Sequence, residues 1–527
     1  MSNLLQKASI ITTPTAYDSG KILSVKPVQT YGPELVNSWT NKDFSSFASN
    51  GSNITQMVSS GSGNNCYSSV SFTSGKTYEL KFTSSQSITA QIRISLNINL
   101  TSAQVVLSNP TSGSNSIIFT PTSNYVYIGF YAPGSFTDTQ ISAFSLREKT
   151  DADFDFTRNS LATRVGSNGL IQTVASNIPR IDYTGGVGSW KFEPQRTNLV
   201  TQSNNLTLGW SGFAFGGGNM SLNYGFLSPD GSNNATRLTY TNTSAGSGGA
   251  LLTSNITLVA NTVYTISFYA KHVSGTKQIR VDLRNSASAG VIGSSFTLTN
   301  QWKKYSHTVT NDNATARGVQ IRIIDSEFAG NRVFDMWGVQ LEQSSFATSI
   351  IPTSGSAVTR LQDVATGSGS SGLISSTEGT LYAEIDIKSI SSGTFLCLSD
   401  GSSSNRVIFG FSSGSGSFFI TGSGSTSSSQ FSITTEQFNK IALTYKANER
   451  KVFVNGSSVY SSTSAFSMPT GLNELSFDSN GIGSQDFQGS AKSVAVFKEA
   501  LTDLELECLV SWMSFSDLGI NFGYTVE

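Results

Sequence analysis

Asp151, Asp153 and Asp155 alternate along the chain, so a strand there carries three carboxylates on one face. Like charges so placed repel unless something pairs them. A hard cation such as Ca²⁺ would satisfy them with oxygen ligation. Arg158 and Arg164, a few residues on, would do the same by bidentate hydrogen bonding. Those arginines are local and plentiful, and Arg180 and Arg196 extend the same stretch, so ion pairing is preferred to metal. These seven residues are the candidates for inter-domain or inter-subunit assembly. Asp400-Gly401 and Asp478 are further positions where Ca²⁺ would fit, but no dense acidic loop surrounds them. No cofactor is expected.

Catalytic chemistry finds little to work with. A Ser-His-Asp triad would have to use His272 or His307, and both fall in alternating segments that read as ordinary strand positions. Cys66, Cys397 and Cys508 are far apart, with no CxxC pair and no disulfide spacing. The carboxylate count permits a glycoside hydrolase pair, but no motif selects one. The chain reads as a non-enzyme.

Aromatic side chains offer a different chemistry, stacking on sugar rings. In Asn124 to Tyr131, if Val126, Ile128 and Phe130 are core, then Tyr125, Tyr127 and Tyr131 face outward. The competing reading is a strand buried on both sides. Tyr269 lies opposite the apolar set Tyr264, Ile266 and Phe268, and Trp210 sits with Phe213 and Phe215 near a Gly-rich loop.

The elements that must hold these residues are strands. Thr77 to Thr83 puts Tyr78, Leu80 and Phe82 on one face. Gln278 to Arg284 does so with Ile279, Val281 and Leu283, and Leu381 to Lys388 with Leu381, Ala383, Ile385 and Ile387. Asn455-Gly456 after Lys451 to Val454 is a hairpin signal, since both residues tolerate positive φ. One helix is convincing: Thr502 to Glu505 fits a capping box, flanked by Leu501 and Leu506 as a hydrophobic staple, with Leu506, Leu509 and Trp512 on one face. The expected fold is all-β, three antiparallel β-sandwich or jelly-roll domains in tandem, with an extended N-terminal arm and a short C-terminal helix.

Composition agrees. The chain has 527 residues, enough for about three or four domains. Charged residues make up only 13%, with 33 Lys and Arg against 34 Asp and Glu, so the basic footprint of a nucleic-acid binder is missing. Aromatics at 11% supply enough large apolar groups for cores. Met1 to Ile11 has too short an apolar run for a secretory leader, and no stretch approaches the roughly 18 apolar residues of a membrane helix.

Gly75 to Phe82 and Ala260 to Phe268 echo each other, each midway through a region that starts near a Trp (Trp39, Trp210). The expected organisation is an arm over 1–32, a sandwich over 33–149, an Arg-bearing connector over 150–199, a second sandwich of the same type over 200–349, a Gly/Ser linker over 350–372 and a third sandwich over 373–527.

The opening Met1 to Ile10, followed by Thr13-Pro14-Thr15-Ala16-Tyr17, resembles the start of many tailed-bacteriophage structural proteins. Phe156 to Val165, Asn168 to Ile171, Pro179 to Tyr183 and Glu193 to Leu199 together look like a module common in those proteins. Ile350 to Gly355 with Val358-Thr359-Arg360 resembles its usual downstream partner. Residues 200–349 resemble a carbohydrate-binding-module jelly roll through Tyr264 to Lys271, Trp302 to Tyr305 and Val339 to Glu342; residues 33–149 share that type through the echo. The last domain is similar to the laminin-G/concanavalin-like lectins through Thr380 to Ile387, Asn439 to Tyr445, Val452 to Gly456 and Gly489 to Leu509.

These resemblances imply a non-enzymatic virion surface protein, a head or tail fibre or decoration. It would be assembled in the bacterial host cytoplasm and anchored to other virion proteins through residues 1–32. Its lectin-like domains would attach to host surface glycans, with no nucleic acid partner and no membrane insertion. Phage fibres imply a homo-oligomer such as a trimer, although no coiled-coil heptads specify one. The alternatives are a purely structural head or tail component and, less favoured, a glycan-cleaving tail enzyme.

Overall fold

The computed structural model describes residues 4–511 except 28–29, 75, 151, 242–247, 254–255, 285–291, 312–315, 325–329, 389–393, 413–414 and 480–485. Asp151 and Trp512 lie outside the described residues. The fold is all-β, with two short helices at Leu4–Lys7 and Asp503–Ser511. No helix among the described residues is long and apolar enough to cross a membrane.

The first sandwich faces two sheets across a core that includes Trp39, Phe82, Ile92, Phe130 and Phe144. One sheet runs in the order Gly113–Phe119, Thr77–Ser84, Phe136–Thr150, Asn53–Ser59, Ser46–Asn50. The other runs Ala103–Ser108, Gln91–Ser95, Tyr127–Tyr131, Asn65–Ser69, Thr40–Asn41. The second sandwich has the same strand order in both sheets: Lys303–Asn311, Thr262–Gly275, Arg332–Glu342, Asn233–Thr241, Asn219–Leu227 against Ile292–Thr297, Gln278–Arg284, Ala316–Ile324, Gly248–Thr253, Trp210–Phe215. The likeness reaches single bonds. Tyr78 Oη accepts from Thr73 N at 2.9 Å, and Tyr264 Oη accepts from Val259 N at 3.0 Å, each five residues back. Trp39 and Trp210 are both buried, and their Nε1 atoms donate to Ser52 O at 2.8 Å and Gln202 O at 3.0 Å.

The third sandwich is assembled from distant parts of the chain. Its larger sheet centres on Gly489–Phe497 and Glu378–Ile387, then Phe438–Lys446, Glu449–Val454 and Ser457–Ser462. Asn455 and Gly456 close the last hairpin with φ of 47° and 87°, as a two-residue turn of this hand requires. On the free side of Gly489–Phe497, Ser189–Phe192 pairs with residues 489–491 and Ala8–Thr12 with residues 494–497.

The described residues of 1–32 therefore do not form an extended arm. Ile10 and Ile11 point to opposite faces of an added strand. Ile10 enters the sandwich core, while Ile11 joins Leu4, Leu5, Leu506 and Leu509 beneath the C-terminal helix. That helix is capped as its sequence demands: Thr502 N donates to Glu505 Oε2 at 2.9 Å, and Glu505 N donates to Thr502 Oγ1 at 3.4 Å.

The Gly/Ser segment 350–372 is likewise packed rather than free. Val364–Thr366 pairs with Phe154–Thr157, which pairs in turn with Lys21–Ile22. Ser368 is fully buried, donating from Oγ to Ala152 O at 2.6 Å. Gly369 sits at φ +93°, a conformation L side chains rarely adopt, so the backbone there selects glycine; a Cβ would also lie 2.8 Å from Ile10 Cδ1. The connector too is built in, with Phe154, Phe156, Trp190 and Phe192 in the third core and Phe192 stacked on Phe477 at 4.4 Å. The first two sandwiches thus leave and rejoin one base built around the third, rather than standing in tandem with it.

If the base needs the N-terminal strand, Ile10→Ala in the full chain will lower stability to urea unfolding by about 2–5 kcal/mol, the cost of a large-to-small change in a closed core. A loss below that range would show that the strand is only loosely attached.

Candidate functional site

Where the second sandwich leaves and rejoins the base, three arginines are buried together. Arg158 Nη1 lies 3.0 Å from Asp363 Oδ1. Arg180 bonds Asp363 Oδ2 through Nη2, and its Nη1 lies 2.7 Å from Glu193 Oε2. Arg360 Nη1 reaches the same Glu193 oxygen at 2.8 Å. Neutral donors complete both carboxylates: Glu193 N bonds Asp363 Oδ2 at 2.9 Å, Ser349 N bonds Glu193 Oε1 at 2.7 Å, and Ser349 Oγ bonds Glu193 Oε2 at 2.6 Å. Two further guanidinium donors go to carbonyls, Arg158 Nη2 to Ala175 O at 2.6 Å and Arg360 Nη2 to Pro194 O at 2.7 Å, while Nε of Arg180 and of Arg360 has no hydrogen-bond partner among the described residues. Burial alone would raise the Glu193 carboxyl, but the Arg360 and Arg180 guanidiniums hold it well below the usual range. Burial opposes the charge of Arg180, and Asp363 with Glu193 overcomes it, so its pKa is raised. A carboxylate so firmly ionised does not serve as a general acid.

This cluster replaces the expected local pairing. Arg158 meets Asp363, 205 residues away, and not the aspartates just before it. Asp153 accepts from Ser24 N at 2.7 Å and Ser24 Oγ at 3.0 Å, and exposed Asp155 pairs with Lys21. Arg164 is half-buried, bonding Gln172 Oε1 and Tyr17 Oη, both at 3.3 Å. Burial lowers the pKa of half-buried Arg196, against the opposing field of Glu342. Asp400 is spent on its own turn, accepting from Ser402 N at 2.9 Å and Asn405 Nδ2 at 2.8 Å. Among the described residues, no group of three or more His, Cys, Asp or Glu is placed to hold a metal ion.

The aromatic candidates divide. Trp210 and Tyr125 are buried, Tyr125 Oη lying 3.0 Å from Thr122 Oγ1, so neither presents a face to a sugar. Tyr127 and Tyr131 are half-buried on the outer face of their sheet: Tyr127 meets Tyr67 edge-on at 5.5 Å, and the Arg93 guanidinium covers Tyr131 at 3.7 Å. Tyr269 is half-buried against Trp337, with ring centroids 5.7 Å apart.

Tyr269 and Arg164, far apart in the sequence, line one cleft of ≈ 550 Å³ beside the arginine cluster. The connector contributes Arg164, Asp182, Lys191 and Glu193. The second sandwich contributes Tyr269, Trp302, Lys303 and Lys304, and the base contributes Lys388, Gln488 and Ser490. Lys304 Nζ donates to Thr348 O, and burial pushes its pKa down to about 8 against the fields of Glu342 and Glu193. The sequence motif Trp302-Lys303-Lys304 was visible, but nothing local showed that it would face the connector.

Two family models match the chain. One, described as a carbohydrate binding domain, covers residues 197–325; the other, the concanavalin A-like lectin/glucanases superfamily, covers residues 361–507. The chain carries a carbohydrate-binding module and a concanavalin-like domain. No curated protein sequence matches it. Among solved structures, the CBM40 of Ruminococcus gnavus IT-sialidase is 16% identical over 26% of this chain and 85% of its own, with TM-score 0.24. Domain 4 of AbnA, an extracellular arabinanase from Geobacillus stearothermophilus, is 17% identical over 28% and 73%, with TM-score 0.24. The CBM22-1 xylan-binding domain of Paenibacillus barcinonensis Xyn10C is 16% identical over 29% and 94%, with TM-score 0.21.

Three outcomes follow from the charges. Asp363→Ala leaves two buried guanidiniums short of a partner and will destabilise the chain by about 3–5 kcal/mol in chemical unfolding. Asp155→Ala removes only a solvent-exposed pair and will cost less than about 1 kcal/mol in the same measurement. Lys304 titrates near 8 when folded and at 10.5 otherwise, so between those values the unfolded chain binds the extra proton and stability rises with pH. Lys304→Met will flatten that rise in unfolding midpoints measured across the window; an unchanged slope would assign it to other groups.

Proposed function

We propose that this chain is a non-enzymatic glycan-binding protein on the surface of a tailed-bacteriophage virion, attaching it to host surface saccharides. The observation that carries the glycan part is the pairing of a carbohydrate-binding module with a concanavalin-like domain, joined by packed strands and a buried ionic cluster rather than a loose linker. Such a block presents its binding surfaces at a fixed mutual geometry, which suits multivalent attachment.

The virion part rests on the resemblance of residues 156–199 and 350–360 to a phage structural module. Four charged residues of those motifs, Arg158, Arg180, Glu193 and Arg360, converge on one cluster, which supports reading the separated motifs as a single unit. Docking to other virion proteins is assigned to the exposed residues Thr15, Ala16, Asp18 and Ser19 in and just before the hairpin of Tyr17–Asp18 and Lys21–Ile22, since the apolar residues near the N-terminus are used inside the chain. A trimeric arrangement belongs to the same proposal. A purely structural role is the second reading, favoured by one observation: much of the second sandwich's outer sheet face is spent on packing, with Trp337 and Ile350 against Ile171.

A glycan array probed with the full chain separates these. Binding to host-type saccharides is expected, and no signal at high protein concentration would favour the structural reading. Soluble product released from host surface polysaccharide would overturn the non-enzymatic assignment, and absence of the chain from purified virions by mass spectrometry would overturn the virion assignment.

A further inference from the structure

The cleft at the junction carries an imbalance of charge. Five cations line it, Arg164, Lys191, Lys303, Lys304 and Lys388, against the carboxylates of Asp182 and Glu193. Both carboxylates are already committed. Asp182 lies 2.9 Å from Lys191 Nζ, and Glu193 is held by Arg180 and Arg360. Lys388 pairs with Asp386 at 3.1 Å. Among the described residues, Arg164, Lys303 and Lys304 have no carboxylate within ion-pair distance. Three cations gathered around one cavity repel each other, and a fold gains nothing by that arrangement.

The rest of the lining points to what would offset the charge. Tyr269 and Trp302 bring half-buried aromatic rings to the cavity, and Gln488, Ser490 and Thr184 bring neutral hydrogen-bonding groups. Aromatic rings offer stacking area for the apolar face of a pyranose. Amide and hydroxyl groups suit its hydroxyls, and guanidinium and ammonium groups suit an anionic substituent. The volume of ≈ 550 Å³ falls within the roughly 300–1,000 Å³ usual for ligand pockets. Lys303 is exposed, so the cleft opens to solvent on that side.

We infer that this inter-module cleft binds an anionic saccharide, with Arg164, Lys303 and Lys304 receiving its acidic group and Trp302 and Tyr269 its ring. The inference rests on the glycan-binding reading above and narrows it to one site and one ligand class. The site needs all three parts of the molecule, so neither sandwich holds it alone. Burial lowers the Lys304 pKa against the fields of Glu342 and Glu193, and a bound acid would draw it back up.

The test is calorimetric titration of the full chain with a glucuronate-containing oligosaccharide, sialyllactose, a sulfated disaccharide, neutral lactose and inorganic phosphate. At least one acidic saccharide is expected to bind, more weakly as salt rises. Lys303→Gln and Arg164→Gln should each weaken it about tenfold, the worth of one charge-assisted hydrogen bond. Lys303 is exposed, so its variant will fold, as unchanged thermal unfolding will verify. Equal binding of neutral and acidic sugars, unchanged affinity in both variants, or phosphate binding as tightly as the sugar would each overturn the inference. If neutral saccharides bind and acidic ones do not, the cleft assignment fails while the glycan-binding reading stands; if no saccharide binds, that broader reading fails as well.

Discussion

Three guanidinium groups and two carboxylates share one water-poor junction. Each ion costs several kcal/mol to desolvate, so the set is stable only when every member is placed correctly. Asp363 serves Arg158 and Arg180, and Glu193 serves Arg180 and Arg360. These residues come from the connector and from the segment just after the second sandwich, so the cluster closes only when the chain that leaves near residue 199 returns near residue 350. Ser349 at the return point donates to Glu193 directly, which fastens the exit of the sandwich to its entrance.

That constraint gives the molecule its organisation. The base is built from residues near the N-terminus, from the connector and from the C-terminal third, with Ala8–Thr12 and Ser189–Phe192 sharing one side of Gly489–Phe497. The two sandwiches with identical strand order are excursions from it. Pairing Ala8 with Phe497 closes a loop of hundreds of residues, and such non-local topologies fold slowly. Ile10 and Gly369 show how closely the late partners must fit, since the glycine has no Cβ where the isoleucine packs.

The cleft is a by-product of the same junction. Its walls come from three parts of the chain, and its charge imbalance follows from the cluster: Glu193 lines it but is already neutralised from behind, leaving Arg164, Lys303 and Lys304 without an ion-pair partner among the described residues.

Local sequence determined what depends on neighbours along the chain. Alternation marked the faces of Thr77–Ser84 and Glu378–Ile387, Asn455-Gly456 set a hairpin turn, and Thr502 with Glu505 capped the helix, because each uses side chains or dihedral preferences within a few residues. The echo around Tyr78 and Tyr264 was legible for the same reason, each hydroxyl bonding a backbone amide five residues back. Tertiary structure alone decided the rest. Ile10-Ile11 carries no alternation because both faces of that strand are covered, so it looked like an arm without a core. The composition around Gly369 reads as a flexible linker, whereas the glycine is there because the packed segment turns through φ +93° beside Ile10. Arg158 sits nearer in sequence to Asp153 and Asp155 than to Asp363, yet burial selects the partner that can be fully desolvated with it, and sequence distance has no bearing on that choice.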